Sequence, residues 1–154
     1  MFYGLSLGLL LAATSVAGLS FHYNDAGGFG FYRPEGWAAR DEGRSTRLTG
    51  PATDSAQTEI FAASDWISSA QDLPALRGYV KYLAKGAPVG EKWVGELRGY
   101  SFTDARQVSH WFILREKKNV LILEYRLAGS EAQREEALAI LSSFQIRTGG
   151  ISYP

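Results

Sequence analysis

Phe29-Gly30-Phe31-Tyr32-Arg33-Pro34-Glu35-Gly36-Trp37 decides how this chain is read, because an aromatic run enters a Pro-x-Gly turn and leaves it on a tryptophan. Pro34 fixes φ and lacks the N–H a ladder needs, Gly36 accepts a positive φ, and Trp37 can fold back over the apolar residues just laid down. The stretch therefore reads as strand, turn, strand, with Trp37 in the core.

Upstream of it, Met1 to Asn24 carries no Asp, Glu, Lys or Arg, and Leu5 to Ala13 is a compact apolar block followed by Ser15-Val16-Ala17. An apolar block ahead of small residues at an A-x-A-like site is the pattern of a signal peptide cleaved after Ala17. Residues 1–17 are thus expected to be removed, and the mature chain to start at Gly18. The alternative is a retained N-terminal membrane anchor, since about 20 uncharged residues can cross a bilayer core.

Downstream, Arg44 to Thr49 and Glu59 to Ala63 read as short strands. Asp72-Leu73-Pro74 opens a helix with a capping carboxylate and a first-turn proline, and Leu73, Leu76, Val80 and Leu83 recur at helical spacing before Gly86. Lys92 to Leu97 reads as a strand around a buried Trp93, with a turn marked by Gly99 and Asp104. Arg106 to Arg115 and Val120 to Ala128 are the best strands, joined by the charged tip Glu116-Lys117-Lys118-Asn119 and expected at the centre of the sheet. Ser130 caps a second helix, Gln133 completes a capping box, and Ala137, Leu138, Leu141 and Phe144 form its stripe. Strands and helices without strict βαβ alternation imply an α+β fold. One domain is expected over residues 21–148, with a tail at 149–154.

Composition narrows the function. Sixteen basic and sixteen acidic residues cancel, which leaves no global field to attract nucleic acid. Cysteine is absent, excluding disulfides, thiol catalysis and cysteine-ligated zinc. His22 and His110 are the only histidines and share no metal-ligand spacing, so no metal or other cofactor is expected. Gly86-Ala87-Pro88-Val89-Gly90-Glu91-Lys92 is one residue short of a phosphate loop and lacks the following Ser or Thr. His110, between Val108 and Phe112 in a core-like strand, reads as a satisfied core histidine rather than the base of a Ser-His-Asp triad.

One surface stands out. Alternation places Val108, His110, Phe112 and Leu114 with Leu121, Leu123, Tyr125 and Leu127 on the core face of the hairpin, leaving Ser109, Trp111, Glu124 and Arg126 on the other. With a two- or four-residue turn, Trp111 falls opposite Glu124 and Ser109 opposite Arg126. That face either is covered by a helix with its charges at the rim, or is a docking patch anchored by Trp111. Trp66, in the polar run Ser64 to Ser68, is the second partner-binding candidate.

The opening Gly28-Phe29-Gly30-Phe31-Tyr32-Arg33-Pro34-Glu35-Gly36-Trp37, the later Gly50-Pro51 and the closing Ser142-Ser143-Phe144 together resemble the PsbP-like proteins over Phe29 to Arg147. The resemblance implies an α-β-α sandwich, an antiparallel sheet flanked by helices on both faces. It further implies a monomeric, non-catalytic docking or assembly module, exported and peripheral to a membrane complex, that binds a protein complex or a small ligand. A chaperone for hydrophobic segments and a hydrolase with an unrecognised site are the competing readings.

Overall fold

The structure, a computed structural model, describes residues 18–52 and 57–147. The expected signal peptide at 1–17 and tail at 149–154 lie outside the described residues. The chain runs β1 (Leu19–Asn24), β2 (Phe29–Pro34), β3 (Ala38–Glu42), β4 (Ser45–Thr49), β5 (Glu59–Trp66), α1 (Leu73–Ala84), β6 (Gly90–Val94), β7 (Leu97–Thr103), β8 (Ser109–Glu116), β9 (Asn119–Arg126), α2 (Glu131–Ser142) and β10 (Gln145–Ile146).

The helix-flanked sandwich is overturned. Of the described residues, 48% lie in strands and 19% in helices, and the ten strands form two antiparallel sheets. One sheet has the order β1-β2-β10 and the other β3-β4-β5-β9-β8-β7-β6. The expectation failed at the Pro34-Glu35-Gly36 turn. Gly36 does take a positive φ of 91° and Trp37 is buried. The turn joins no hairpin, however: β2 belongs to the small sheet and β3 to the edge of the large one, so the chain changes sheets there. The partner of β2 is β1, drawn from the uncharged segment before it, which pairs from Leu19↔Pro34 to Asn24↔Phe29.

Two apolar clusters fill the molecule. Phe29, Phe31 and Trp37 meet Leu48, Ile60, Trp111, Ile113, Leu121 and Leu123 between the sheets, where α2 adds Ala137, Ile140 and Leu141. On the other face of the large sheet, Leu76, Val80 and Ala84 of α1 cover Tyr100, Phe102, Phe112 and Val120.

The helix start signals act as read, with two differences in the second helix. Asp72 accepts from the Ala75 N–H at 2.9 Å and Lys85 ends α1 in the left-handed region. Ser130 accepts from the Gln133 N–H at 3.1 Å, but the Gln133 side chain does not close a capping box. It is buried and spans to the sheet, accepting from the Thr58 N–H at 2.8 Å and donating to the Pro51 carbonyl at 3.0 Å. The Thr58 N–H would otherwise be buried unpaired, which outweighs a cap bond. Leu138, assigned to the buried stripe, is exposed.

Three further expectations are corrected. Lys92 to Leu97 is not one strand, because Gly95, at φ 58°, turns the chain between β6 and β7. Trp93 therefore sits on an edge strand and is 54% exposed rather than core. Gly99 marks no turn but lies inside β7, where a Cβ would stand 1.8 Å from the Phe112 carbonyl oxygen. The β8–β9 hairpin is central as expected, yet its register differs. Glu116 faces Asn119 across a two-residue turn, then Leu114 faces Val120, so Arg115 is an extra residue, a bulge in β8. Every later pair slips by one: Trp111 meets Leu123, and Glu124 meets His110.

Candidate functional site

His110 lies with Phe112 on the α1 side of the sheet, at the edge of an open cleft of about 650 Å³, and the bulge brings Glu124 opposite it. Cross-strand pairing lines up Phe102, His110 and Glu124 on neighbouring strands. Leu83, Ala84 and Ala87, from the end of α1 and the loop after it, form the facing wall, and Asp104 to Arg106 form the rim.

Asp104 is held by the turn it makes. Its Oδ1 accepts from the Arg106 N–H at 2.8 Å and the Val108 N–H at 3.0 Å, an Asx-type arrangement that fixes the carboxylate before any ligand arrives. The opposite oxygen, Oδ2, lies 2.9 Å from His110 Nε2. That hydrogen bond to His110, reinforced by the two turn N–H groups and Arg106, holds the Asp104 carboxyl down at about 2 against an ordinary 3.8. The His110 ring lies nearly parallel to Phe102, with centroids 4.7 Å apart, and its Nδ1 is 3.7 Å from Glu124 Oε1.

A histidine stacked on a phenylalanine with a carboxylate toward each nitrogen is rigid and oriented, in a cleft that offers both apolar contact and charge. The cleft lining contains no hydroxyl or thiol. Ser109, the sequence neighbour of His110, points to the opposite face, and its Oγ lies 3.2 Å from Thr103 Oγ1. Among the described residues the His–Asp pair therefore has no serine nucleophile beside it. Among the described residues no group of three or more His, Asp or Glu is placed to hold a metal ion.

The five residues singled out from sequence form no single patch: Ser109 stays with Trp111, Glu124 with Arg126, and Trp66 stands apart. Trp111 is 7% exposed and packs in the cluster between the sheets, edge-on to Tyr125 at 5.5 Å, with Ser109 on its side of the sheet. Glu124 belongs to the His110 cleft on the opposite face. Arg126 lines a hollow of about 230 Å³ with Arg47, Glu59 and Phe61, and Glu124 borders this hollow as well as the cleft. Trp66, at the end of β5, is 49% exposed and has Lys118 Nζ 5.6 Å from its ring centroid. The expected Trp111–Glu124–Arg126 patch is dissolved by the Arg115 bulge, since a one-residue slip reassigns cross-strand neighbours. Asp104 was legible only as a turn residue; its bond to His110, six positions on, follows from the turn closing β7 onto β8.

No protein-family model and no curated protein matches the sequence. Among solved structures, a crystal structure from Bacteroides thetaiotaomicron superposes with a TM-score of 0.55 at 13% identity, covering 89% of this chain and 51% of that one. The chain thus spans about half the length of that protein, and the likeness is one of fold.

Proposed function

We propose that this chain is an exported, non-catalytic binding module that takes an amphipathic group, a side chain of a partner protein or a small ligand, in the His110 cleft. The observation that carries this reading is the preset geometry of Asp104, His110 and Glu124 beside the apolar wall of Leu83, Ala84 and Ala87. Ligand sites combine apolar lining with a few fixed polar groups, and their occupants bind more tightly when those groups need no reordering. The balanced charge supports a partner other than nucleic acid.

Ala105, exposed at the rim of the cleft, gives a clean test. Ala105→Trp blocks the mouth without touching either apolar cluster. Capture of a ligand or partner from the exported fraction by the wild type, and its loss in Ala105→Trp at equal folded concentration, is the expected result. Equal capture by both proteins places the binding site elsewhere. Export is checked by intact mass after production in a secreting host, where a chain starting at Gly18 is expected and retention of residues 1–17 overturns cleavage.

A further inference from the structure

On the face of the large sheet opposite the His110 cleft, strands β6 to β9 enclose a second hollow, of about 380 Å³, lined by Lys92, Ser101, Thr103, Ser109, Trp111 and Tyr125 among others. No acidic side chain lines it. Lys92 faces Gly99 across the β6–β7 pair, and Gly99 has no side chain because the Phe112 carbonyl occupies that space. Lys92 therefore leans past β7, and its ammonium sits 4.0 Å from the centroid of the Trp111 ring. Glu91, its neighbour on β6, projects to the other face and lies 3.8 Å from Arg98. Among the described residues Lys92 makes no ion pair.

An ammonium has three N–H donors and the indole face meets it from one side only, so donors remain for a ligand in the hollow. Ser101, Thr103, Ser109 and Tyr125 add hydroxyls that donate or accept as needed. One cation, four hydroxyls and no carboxylate is the complement of a small oxyanion on a hydroxylated body, and the volume admits a ligand of monosaccharide size. We infer that this hollow is a binding site for a small hydroxylated anion, with Lys92 pairing its carboxylate or phosphate and the hydroxyls of β7 and β8 holding the rest. The site is independent of the His110 cleft, which lies across the sheet.

Trp111 reports on it directly, because an anion that draws Lys92 off the ring changes the indole's surroundings. Glucuronate and inorganic phosphate serve as the carboxylate and phosphate probes, with glucose as the uncharged control, and tryptophan fluorescence is followed in the full chain. A saturable change with glucuronate or phosphate, absent with glucose and about tenfold weaker in affinity in Lys92→Gln, is expected. Which anion saturates at the lower concentration tells carboxylate from phosphate. Amide shifts at Ser101, Thr103 and Ser109 must accompany the response. No saturable response to either anion, an unchanged affinity in Lys92→Gln, or shifts confined to other strands overturns the proposal. Lys92 is half-buried on an edge strand, so an unchanged denaturation midpoint confirms that Lys92→Gln leaves the fold intact.

Discussion

Arg115 donates from Nη1 to the carbonyl oxygen of Gly27 at 2.6 Å, joining residues 88 apart in sequence and tying the β8 bulge to the β1–β2 turn. The same guanidinium reaches Ser64 Oγ, the Gly28 carbonyl at 3.2 Å and the Arg147 carbonyl, so one buried side chain satisfies backbone groups from both ends of the small sheet. The residue that shifts the hairpin register is thus also one of the fastenings between the two sheets. Arg115→Met removes those donors while keeping an apolar stem. We expect a loss of about 2 kcal/mol by chemical denaturation, the scale of buried hydrogen bonds removed, since the Gly27 and Gly28 carbonyls keep Ser64 Oγ and the Arg147 N–H as donors. Hydrogen exchange should rise first in β1 and β2. A change confined to about 0.5 kcal/mol would show that the sheets are held together without Arg115, by their apolar contacts and by bonds such as those of Asn24 to the Gly43 and Ser45 carbonyls.

Trp37, 2% exposed between the sheets, is the largest fully buried side chain at the point where the chain changes sheets. Trp37→Ala should cost roughly 3–5 kcal/mol in denaturant unfolding, as deletion of a buried large aromatic does. Its indole Nε1 has no hydrogen-bond partner among the described residues, so Trp37→Phe loses volume and no polar contact. The phenylalanine variant should retain more than half of what alanine loses. A phenylalanine variant as damaged as the alanine one would contradict this placement.

Gly99 is required by space rather than by backbone angle. A methyl group there would stand 1.8 Å from the Phe112 carbonyl oxygen and 2.7 Å from the Ile113 Cα, both backbone atoms that cannot move without parting β7 from β8. Gly99→Ala should therefore lower stability by roughly 4 kcal/mol or prevent folding, at the severe end of single substitutions. Recovery of a variant within about 1 kcal/mol of wild type would mean that the β7–β8 register is other than described.

Asp104 gives the stability a defined acid dependence. Its folded value, about 2, lies below the ordinary 3.8, so it binds a proton less readily folded than unfolded. Its contribution is full above the unfolded value and is lost as pH falls from 3.8 through about 2. Wild type should be more stable than Asp104→Asn at neutral pH, and the gap should close across that window when unfolding is measured at a series of pH values. A gap that stays constant with pH would remove the His110 bond as the source of the difference.

The features legible in the chain alone were local. Asp72 with Pro74, and Ser130, set the helix starts because capping satisfies orphan N–H groups within a few residues, and the alternating run from Ser109 to Arg126 marked the central hairpin. Trp37 was legible as core from the turn that precedes it. Tertiary structure alone decided the rest. The uncharged segment Leu19–Asn24 became a strand only because β2 offered it a partner, and pairing between strands is a non-local energy that no window of sequence contains. That added strand turned the expected helical layer into a second sheet. The bulge at Arg115 exists because its guanidinium finds the carbonyls of Gly27, Gly28 and Arg147, distant in the chain. By shifting the β8–β9 register one residue, it set Glu124 against His110, while the β6–β7 and β7–β8 pairings brought Lys92 over Trp111, making two sites on opposite faces where alternation alone had placed one.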